Sequence, residues 1–342
     1  AIGASCMAVI DGDVNKHGKK LYDVPIVSRD FMKNYDKDFY LIVSVASGED
    51  IANSFEGTYK VLPLKMADYI IRLSYLNCEE YGFSDIENIG SYMSPYPDAT
   101  NYNVDVPIYD IDFNMEKQEK IFEYLVNLYK EIDKVNMKVE RRFYEDNTKY
   151  GEIDALVLHG ILLLVVPRRI IEIGSGFSTA VMLDTNEYCM DNRVQMEFIE
   201  PYPQRLNSLL RKDDNIKLQE VFLQDVDMST FDKLETGDIL FVDSSHMAKM
   251  GSDVNKIFFN ILPRLKSGVY VHFHDIFKDF EYPIEWIEFG RVWNECYLLR
   301  TFLMNNNDYE IIFFCDMWNE QFEKTGLFDK FVGGANIWLR KK

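Results

Sequence analysis

The sequence predicts an α/β protein whose second half builds a mostly parallel, seven-stranded sheet with helices on both faces, with a smaller α/β region before it. Three observations carry this expectation. From about residue 151, short apolar runs alternate regularly with segments of helical spacing. The runs are continuously apolar, as strands buried on both faces must be. The first of them ends in Gly174-Ser175-Gly176 and opens into a helix, a turn that brings bare backbone to a ligand at the sheet's carboxyl edge.

Taken in order, residues 1–60 mix short apolar runs with turn signals. Strands are expected at Met7 to Ile10, Val24 to Val27 and Tyr40 to Val45, with a helix at Arg29 to Tyr35. Residues 61–140 begin irregular and rich in Tyr, Asn and Pro. They end in an amphipathic helix over Met115 to Val139, whose apolar stripe includes Ile121, Leu125, Leu128, Ile132 and Val135. Residues 141–342 form the third stretch. Helices are expected at Ile153 to Val165, Ser178 to Asp184, Gln204 to Leu210, Val254 to Leu262 (stopping before Pro263) and Trp293 to Met304. The strands are Ile170 to Ile173, Gln195 to Ile199, Ile216 to Phe222, Ile239 to Val242 and Val269 to Phe273. Tyr309 to Phe314 and Ala335 to Leu339 complete the sheet as a terminal antiparallel pair.

Composition narrows the function. Fifty-six acidic residues against 37 basic ones give a net charge of −19 over 342 residues. Such a surface repels phosphate backbones and anionic lipid, which argues against nucleic acid or membrane as the main partner. The longest near-continuous apolar run, Ala155 to Val166, is too short to cross a bilayer and contains His159. No basic stretch followed by an apolar one opens the sequence. Cys6, Cys78, Cys189, Cys296 and Cys315 are odd in number, scattered and without a CxxC pair. They fit reduced thiols and a cytoplasmic location better than a disulfide framework.

The chemistry-bearing residues gather at strand ends. The turn after the first strand has no third Gly, and it carries Glu172 two positions before Gly174. An acid there welcomes a cationic ligand and not a pyrophosphate. The second strand ends at Glu200, where a carboxylate can accept from two ribose hydroxyls. The third leads to Gln224-Asp225, the fourth to Asp243-Ser244-Ser245-His246, and the fifth to His272-Phe273-His274-Asp275. Each could cap a helix, since Asp and Ser are good N-caps; together they mark the edge where open α/β sheets bind ligands.

The run Ile171-Glu172-Ile173-Gly174-Ser175-Gly176-Phe177-Ser178-Thr179, with Phe241 to His246, Gly251 to Val254 and His272 to Phe277, resembles class I S-adenosylmethionine-dependent methyltransferases. A Tyr282-Pro283-x-x-Trp286 segment and Trp293-Asn294-Glu295 extend the likeness to a bacterial group, over about residues 141–342. The resemblance implies a Rossmann-like methyltransferase fold with S-adenosyl-L-methionine as cofactor. Glu172, Gly174, Ser175, Gly176, Ser178 and Thr179 would line its methionine side, Glu200 its ribose, and Gln224 with Asp225 its adenine. Asp243 and Ser244 would complete that set, and the segment Arg141 to Ala155 would be a lid.

Methyl transfer needs an aligned acceptor and a place for its proton. His246, His274 and Asp275 are the catalytic candidates, because histidine titrates near neutral pH; His272 lies deeper and reads as core. Asp243, His274 and Asp275 could hold a divalent metal, although a histidine in the set favours a softer ion or none. Residues 8–13, 18–19 and 24–28 resemble the Rossmann-type domain of bacterial sugar-modifying acyltransferases. Only Ala1 to Ala4 precede, so a partial, scaffolding module is expected there.

The expectation is thus a methyltransferase acting on oxygen of a small polar acceptor such as a sugar or sugar-nucleotide, with self-association left open. A NAD-linked oxidoreductase on a similar sheet and a non-catalytic cofactor-binding module are the alternatives.

Overall fold

The computed structural model describes residues 9–10, 17–21, 24–28, 30, 40–42, 60–62, 107–135, 141–144, 147, 149–283, 286, 293–328 and 331–342. The chain forms two compact units, residues 1–98 with 288–291, and residues 99–287 with 292–342. In the first, β1 (Val9–Ile10) pairs in parallel with β3 (Val24–Val27), which pairs antiparallel with β2 (Lys20–Leu21). A separate parallel pair joins β4 (Tyr40–Ile42) and β5 (Lys60–Leu62). The helix expected at Arg29 to Tyr35 lies, apart from Asp30, outside the described residues.

The second unit contains the expected sheet of seven strands. Its strands are β6 (Arg169–Ile173), β7 (Gln195–Ile199), β8 (Lys217–Gln219), β9 (Ile239–Val242), β10 (Tyr270–His274), β11 (Tyr309–Phe314) and β12 (Asn336–Lys341). They lie in the order β11-β12-β10-β9-β6-β7-β8. β6 to β10 are parallel neighbours; β12 enters antiparallel between β10 and β11. The strand order reverses between β6 and β9, so their carboxyl ends leave the crevice in which such sheets bind ligands.

Period-two alternation sorts the strand residues between two cores. Ile171, Ile173, Leu240, Val242, Val271 and Phe273 face one; Ile170, Phe198, Ile239, Phe241 and Trp338 face the other. Glu172, His272 and His274 share the second face by parity. That face is covered by α2 (Glu152–Val165) and α3 (Phe177–Cys189), with α1 (Met115–Val135) packed on α2. Gly160 lets the two helices close: a Cβ there would lie 2.2 Å from Leu125. Tyr129 seals the contact by donating to Glu152 at 2.6 Å. The long helix expected within residues 61–140 therefore belongs to the sheet's unit.

Several boundaries differ from expectation: the helix expected at Ser178 to Asp184 runs on to Cys189 as α3. The third strand does not reach Phe222: at the sheet edge β8 pairs with β7 alone, and the chain turns into a 3-10 turn, Leu223–Asp225, that buries Leu223. The helix expected to stop before Pro263 instead runs as α5 (Asp253–Lys256), a π turn (Ile257–Ile261) and a 3-10 turn (Leu262–Arg264) that contains Pro263. Proline is tolerated at the start of a turn, where its missing N–H would have no partner anyway. The remaining helices are α4 (Gln204–Leu209), α6 (Glu295–Leu303) and α7 (Asn319–Lys324). No described helix is long and apolar enough to cross a membrane.

Candidate active site at the carboxyl edge of the sheet

The glycine turn is locked to its neighbours by backbone hydrogen bonds. The Gly174 N–H donates to Ile199 O at 3.0 Å, and the Asp243 N–H donates to Ile173 O at 2.8 Å. Gly174 has a φ of +78°, and a Cβ on it would stand 1.9 Å from the carbonyl oxygen of Asp243. Only glycine meets both conditions.

Glu172 is fully buried beneath this turn. Its carboxylate accepts from the Ser178 hydroxyl at 2.6 Å and from the Thr179 hydroxyl, and Thr179 in turn accepts the Gly176 N–H at 3.1 Å. Burial pushes its pKa up to about 8 in spite of those two donors. Glu172, Ser178 and Thr179 thus hold the turn's shape from below. Glu200 holds it from the other side, accepting the Ser175 N–H at 3.0 Å and the Tyr202 N–H at 2.8 Å. Both carboxylates that the sequence placed beside the turn are beside it.

The ends of β9 and β10 assemble a second group. His246, at a φ of +57°, is buried. Its Nε2 lies 3.3 Å from Asp243 and 3.5 Å from Asp275, and its Nδ1 lies 2.8 Å from Glu295. Glu295 is 1% exposed and is fixed by the Ser244 hydroxyl at 2.9 Å. The His246 carbonyl accepts the backbone N–H groups of Asn294 and Glu295, and Trp293 lies against the imidazole at 4.3 Å. Burial alone would lower the pKa of His246, but hydrogen bonds to Asp243 and Glu295 and the charge of Asp275 outweigh it and hold the ring protonated, well above its ordinary value. The same neighbourhood holds Asp243 below the usual carboxylate range, His246 outweighing the cost of its burial.

Glu295 is the residue that sequence reasoning missed. At the start of α6 it reads as an ordinary first-turn acid; nothing local signals that it is buried against a histidine 49 positions away.

The other sequence candidates fall into place around these two groups. His274 is buried under the Tyr150 ring at 5.1 Å, and its Nε2 lies 3.6 Å from Asp275. Burial opposes its protonation, yet Asp275, Asp243 and Asp154 raise its pKa. His272 stacks on Phe241 at 3.8 Å and abuts Trp338; burial drives its pKa well down, so it is a neutral core ring. Gln224 and Asp225 lie in the 3-10 turn after β8. The Gln224 amide donates to Gly251 O at 2.9 Å, and Asp225 is exposed. Tyr282, Trp286 and Trp293 form a contiguous aromatic wall beside His246.

For a metal, the donor atoms that converge belong to Asp243, His246 and Asp275, all within 4.8 Å of one another. The expected set of Asp243, His274 and Asp275 is corrected accordingly, because His274 approaches Asp275 alone of these two carboxylates. As arranged, the His246 imidazolium already stands among the carboxylates as their positive partner. The group does not fit a cation in addition.

Of the segment expected as a lid, Tyr144, Lys149 and Tyr150 are described beside the glycine turn. Arg142 is clipped to Asp184 at 2.8 Å, to Glu187 at 2.7 Å and to Asp214. Tyr144 meets Phe177 edge-on at 5.2 Å, and Lys149 and Tyr150 join Gly176, Phe177, Arg205 and Asp243 in lining a hollow at the mouth of the turn. Phe143 rests edge-on against Tyr150, Asn147 bridges the carbonyls of Tyr144 and Tyr150, and Asp146 lies outside the described residues.

Residues 171–276 match a family model described as a methyltransferase domain. A protein of Archaeoglobus fulgidus whose function is uncharacterized is 32% identical over 162 residues, which cover 45% of this chain and 71% of that one. Among solved structures, the O-methyltransferase TomG of Streptomyces achromogenes, in complex with S-adenosylmethionine, is 15% identical over 65% of this chain and 89% of its own, at a TM-score of 0.38. The plantazolicin methyltransferase BpumL, in complex with S-adenosylhomocysteine, is 13% identical over 66% of this chain and 99% of its own, also at 0.38.

Proposed function

The chain belongs to the same family as the Archaeoglobus fulgidus protein and carries a methyltransferase domain, and from that premise we propose that it is an S-adenosylmethionine-dependent methyltransferase acting on oxygen of a small polar acceptor, such as a sugar or sugar-nucleotide. One observation carries the reading beyond the domain match. A glycine turn gripped by the Glu172 carboxyl and the Glu200 side chain stands at the same sheet edge as a buried imidazole held among Asp243, Asp275 and Glu295.

The contacts support a division of labour. Gly174, Ser175 and Gly176 offer backbone to the cofactor, and Glu200 keeps free lone pairs for its ribose hydroxyls. Glu172, Ser178 and Thr179 act through the turn that they shape. The sulfonium carries a positive charge, and Glu200 and Asp243 at this edge favour it over a pyrophosphate-bearing cofactor. Transfer is an in-line displacement: the acceptor oxygen forms a bond to the methyl carbon as the carbon–sulfur bond breaks, and the hydroxyl proton leaves.

Asp243, His246 and Asp275 lie within 3.3 to 3.5 Å of one another through the imidazole, and a carboxylate of this group takes the hydroxyl proton. His246 sets its charge and keeps the two carboxylates from repelling each other. Glu295 and Ser244 fix the ring, and the wall of Tyr282, Trp286 and Trp293 excludes water from the acceptor's side.

The test is turnover of S-adenosylmethionine with a panel of hydroxylated sugars and sugar-nucleotides, read as S-adenosylhomocysteine formed. With a true acceptor, His246→Ala is expected to reduce the rate about a hundredfold or more. A near-wild-type rate would remove His246 from the mechanism.

A further inference from the structure

Two side chains that meet at the ends of β9 and β10 stand on left-handed backbone, His246 at a φ of +57° and Asp275 at +56°. Neither is glycine, so each conformation persists only where its surroundings hold it. For His246 the surroundings are two clamps, one on each side of it. Upstream, Asp253 accepts the Ser245 N–H at 2.8 Å and the Ser245 hydroxyl at 2.6 Å. Downstream, the Asn294 side chain accepts the Ala248 N–H at 2.6 Å and donates to the Ala248 carbonyl at 3.2 Å. Between the clamps, the His246 carbonyl accepts the Asn294 and Glu295 N–H groups at 3.0 and 3.2 Å. At the start of α6 those groups have no partner inside the helix, so the loop and the helix satisfy each other.

The residue types suit these places. A primary amide presents an acceptor and donors side by side, so Asn294 pairs with both backbone polar groups of one residue. Asp253, which only accepts, faces two donors. The same end of α6 reaches the other left-handed residue, because the Cys296 thiol donates to the Asp275 carbonyl at 3.7 Å. Three consecutive residues, Asn294 to Cys296, thus hold the backbone of both loops, while the Glu295 side chain takes Nδ1 of the ring at 2.8 Å. His246 Nε2 is left 3.3 Å from Asp243 and 3.5 Å from Asp275.

Resting on the reading of His246 as part of the methyl-transfer site, we propose that Asn294 and Asp253 are its positioning residues. Both act through His246. They pin the loop at Ala248 and Ser245, and the left-handed turn between those two points carries the imidazole in between Asp243 and Asp275. With either clamp cut, the turn relaxes to the ordinary backbone regions and the ring swings out of line.

The test uses the full chain grown with ¹⁵N-labelled histidine. Its five imidazoles are few enough to resolve by NMR, and the signal missing from His246→Ala is that of His246. In the wild type the Nδ1 proton, donated to the buried Glu295 side chain, exchanges slowly and gives a separate downfield signal. Asn294→Ala and Asp253→Ala, with melting temperatures showing both folded, are each expected to lose that signal. Their turnover is expected to fall about tenfold or more, with KM for S-adenosylmethionine unchanged, as for a misplaced catalytic group. Asn294→Asp keeps the shape of the side chain but sets an oxygen against the Ala248 carbonyl, so it should lose the signal too. It carries the test if the alanine variant does not fold. A folded variant that keeps the wild-type signal overturns its clamp, and a wild type without the signal overturns both. Loss of the signal with unchanged turnover overturns the positioning role in transfer. Should the wild type fail to bind S-adenosylhomocysteine in calorimetry, the methyltransferase reading fails, and the NMR comparison still decides the clamps.

Discussion

Glu172 sits where the chain's alternation sends it, on the inner face of β6 with no water to solvate it, and only two hydroxyls offset that burial. The folded state therefore holds a proton on this carboxyl up to about pH 8, against an ordinary value of 4.5 for the unfolded chain. Between those two values the folded protein binds more protons than the unfolded one, so this group's contribution to stability falls as pH rises and is fully restored only near pH 4.5. Its slope is at most about 1.4 kcal/mol per pH unit. Glu172→Gln removes the titration and keeps a side chain that the hydroxyls can bond. Urea unfolding at pH 5 to 8 should show the variant gaining on the wild type as pH rises. Parallel curves would contradict the burial argument.

Residue identities were legible in sequence where the backbone forces them. Gly174 is required by a positive φ and a 1.9 Å approach, and the Gly-x-Gly after an apolar strand announced it. Contacts between distant segments left no such mark. Glu295 could not be paired with His246, nor Gln224 with Gly251, because long-range packing decides both.

At the scale of elements, the parallel strands declared themselves because burial on both faces leaves no room for polar alternation. β8 did not, since an edge strand has one neighbour and its length is set by that pairing, not by its own apolar run. The π turn at Ile257–Ile261 was invisible for a similar reason: apolar spacing does not report how tightly a helix is wound.

Arg142 provides the element-scale prediction. Its side chain is 3% exposed and joins the segment expected as a lid to Asp184 and Glu187 of α3 and to Asp214. Arg142→Met leaves three carboxylates facing one another without their cation. It should destabilise the protein by about 3–5 kcal/mol, the cost of removing one partner from a buried ionic network. Thermal unfolding by circular dichroism checks this, and a loss below about 1 kcal/mol would show that the clip is dispensable.

For the whole molecule, the order of the strands matters more than any single motif. Reversal between β6 and β9 places the turn that follows one strand beside the Asp243-to-His246 loop that follows the other, and β10 adds His274 and Asp275 at the same edge. Because the His246 imidazolium balances the strand-end carboxylates, turnover should be insensitive to chelation. Dialysis against EDTA followed by assay is expected to leave the rate unchanged. A rate lost on chelation and restored by magnesium or manganese would show that a metal displaces the proton from His246.

The most direct measurement is the affinity of S-adenosylmethionine for the wild type and for Glu200→Ala, by calorimetry. Binding by the wild type, weakened in the variant by about 1.5–3 kcal/mol as for a hydrogen bond to a charged group, is the predicted result. An equal dissociation constant in the two proteins, or no binding by the wild type, would contradict a sulfonium cofactor at the glycine turn.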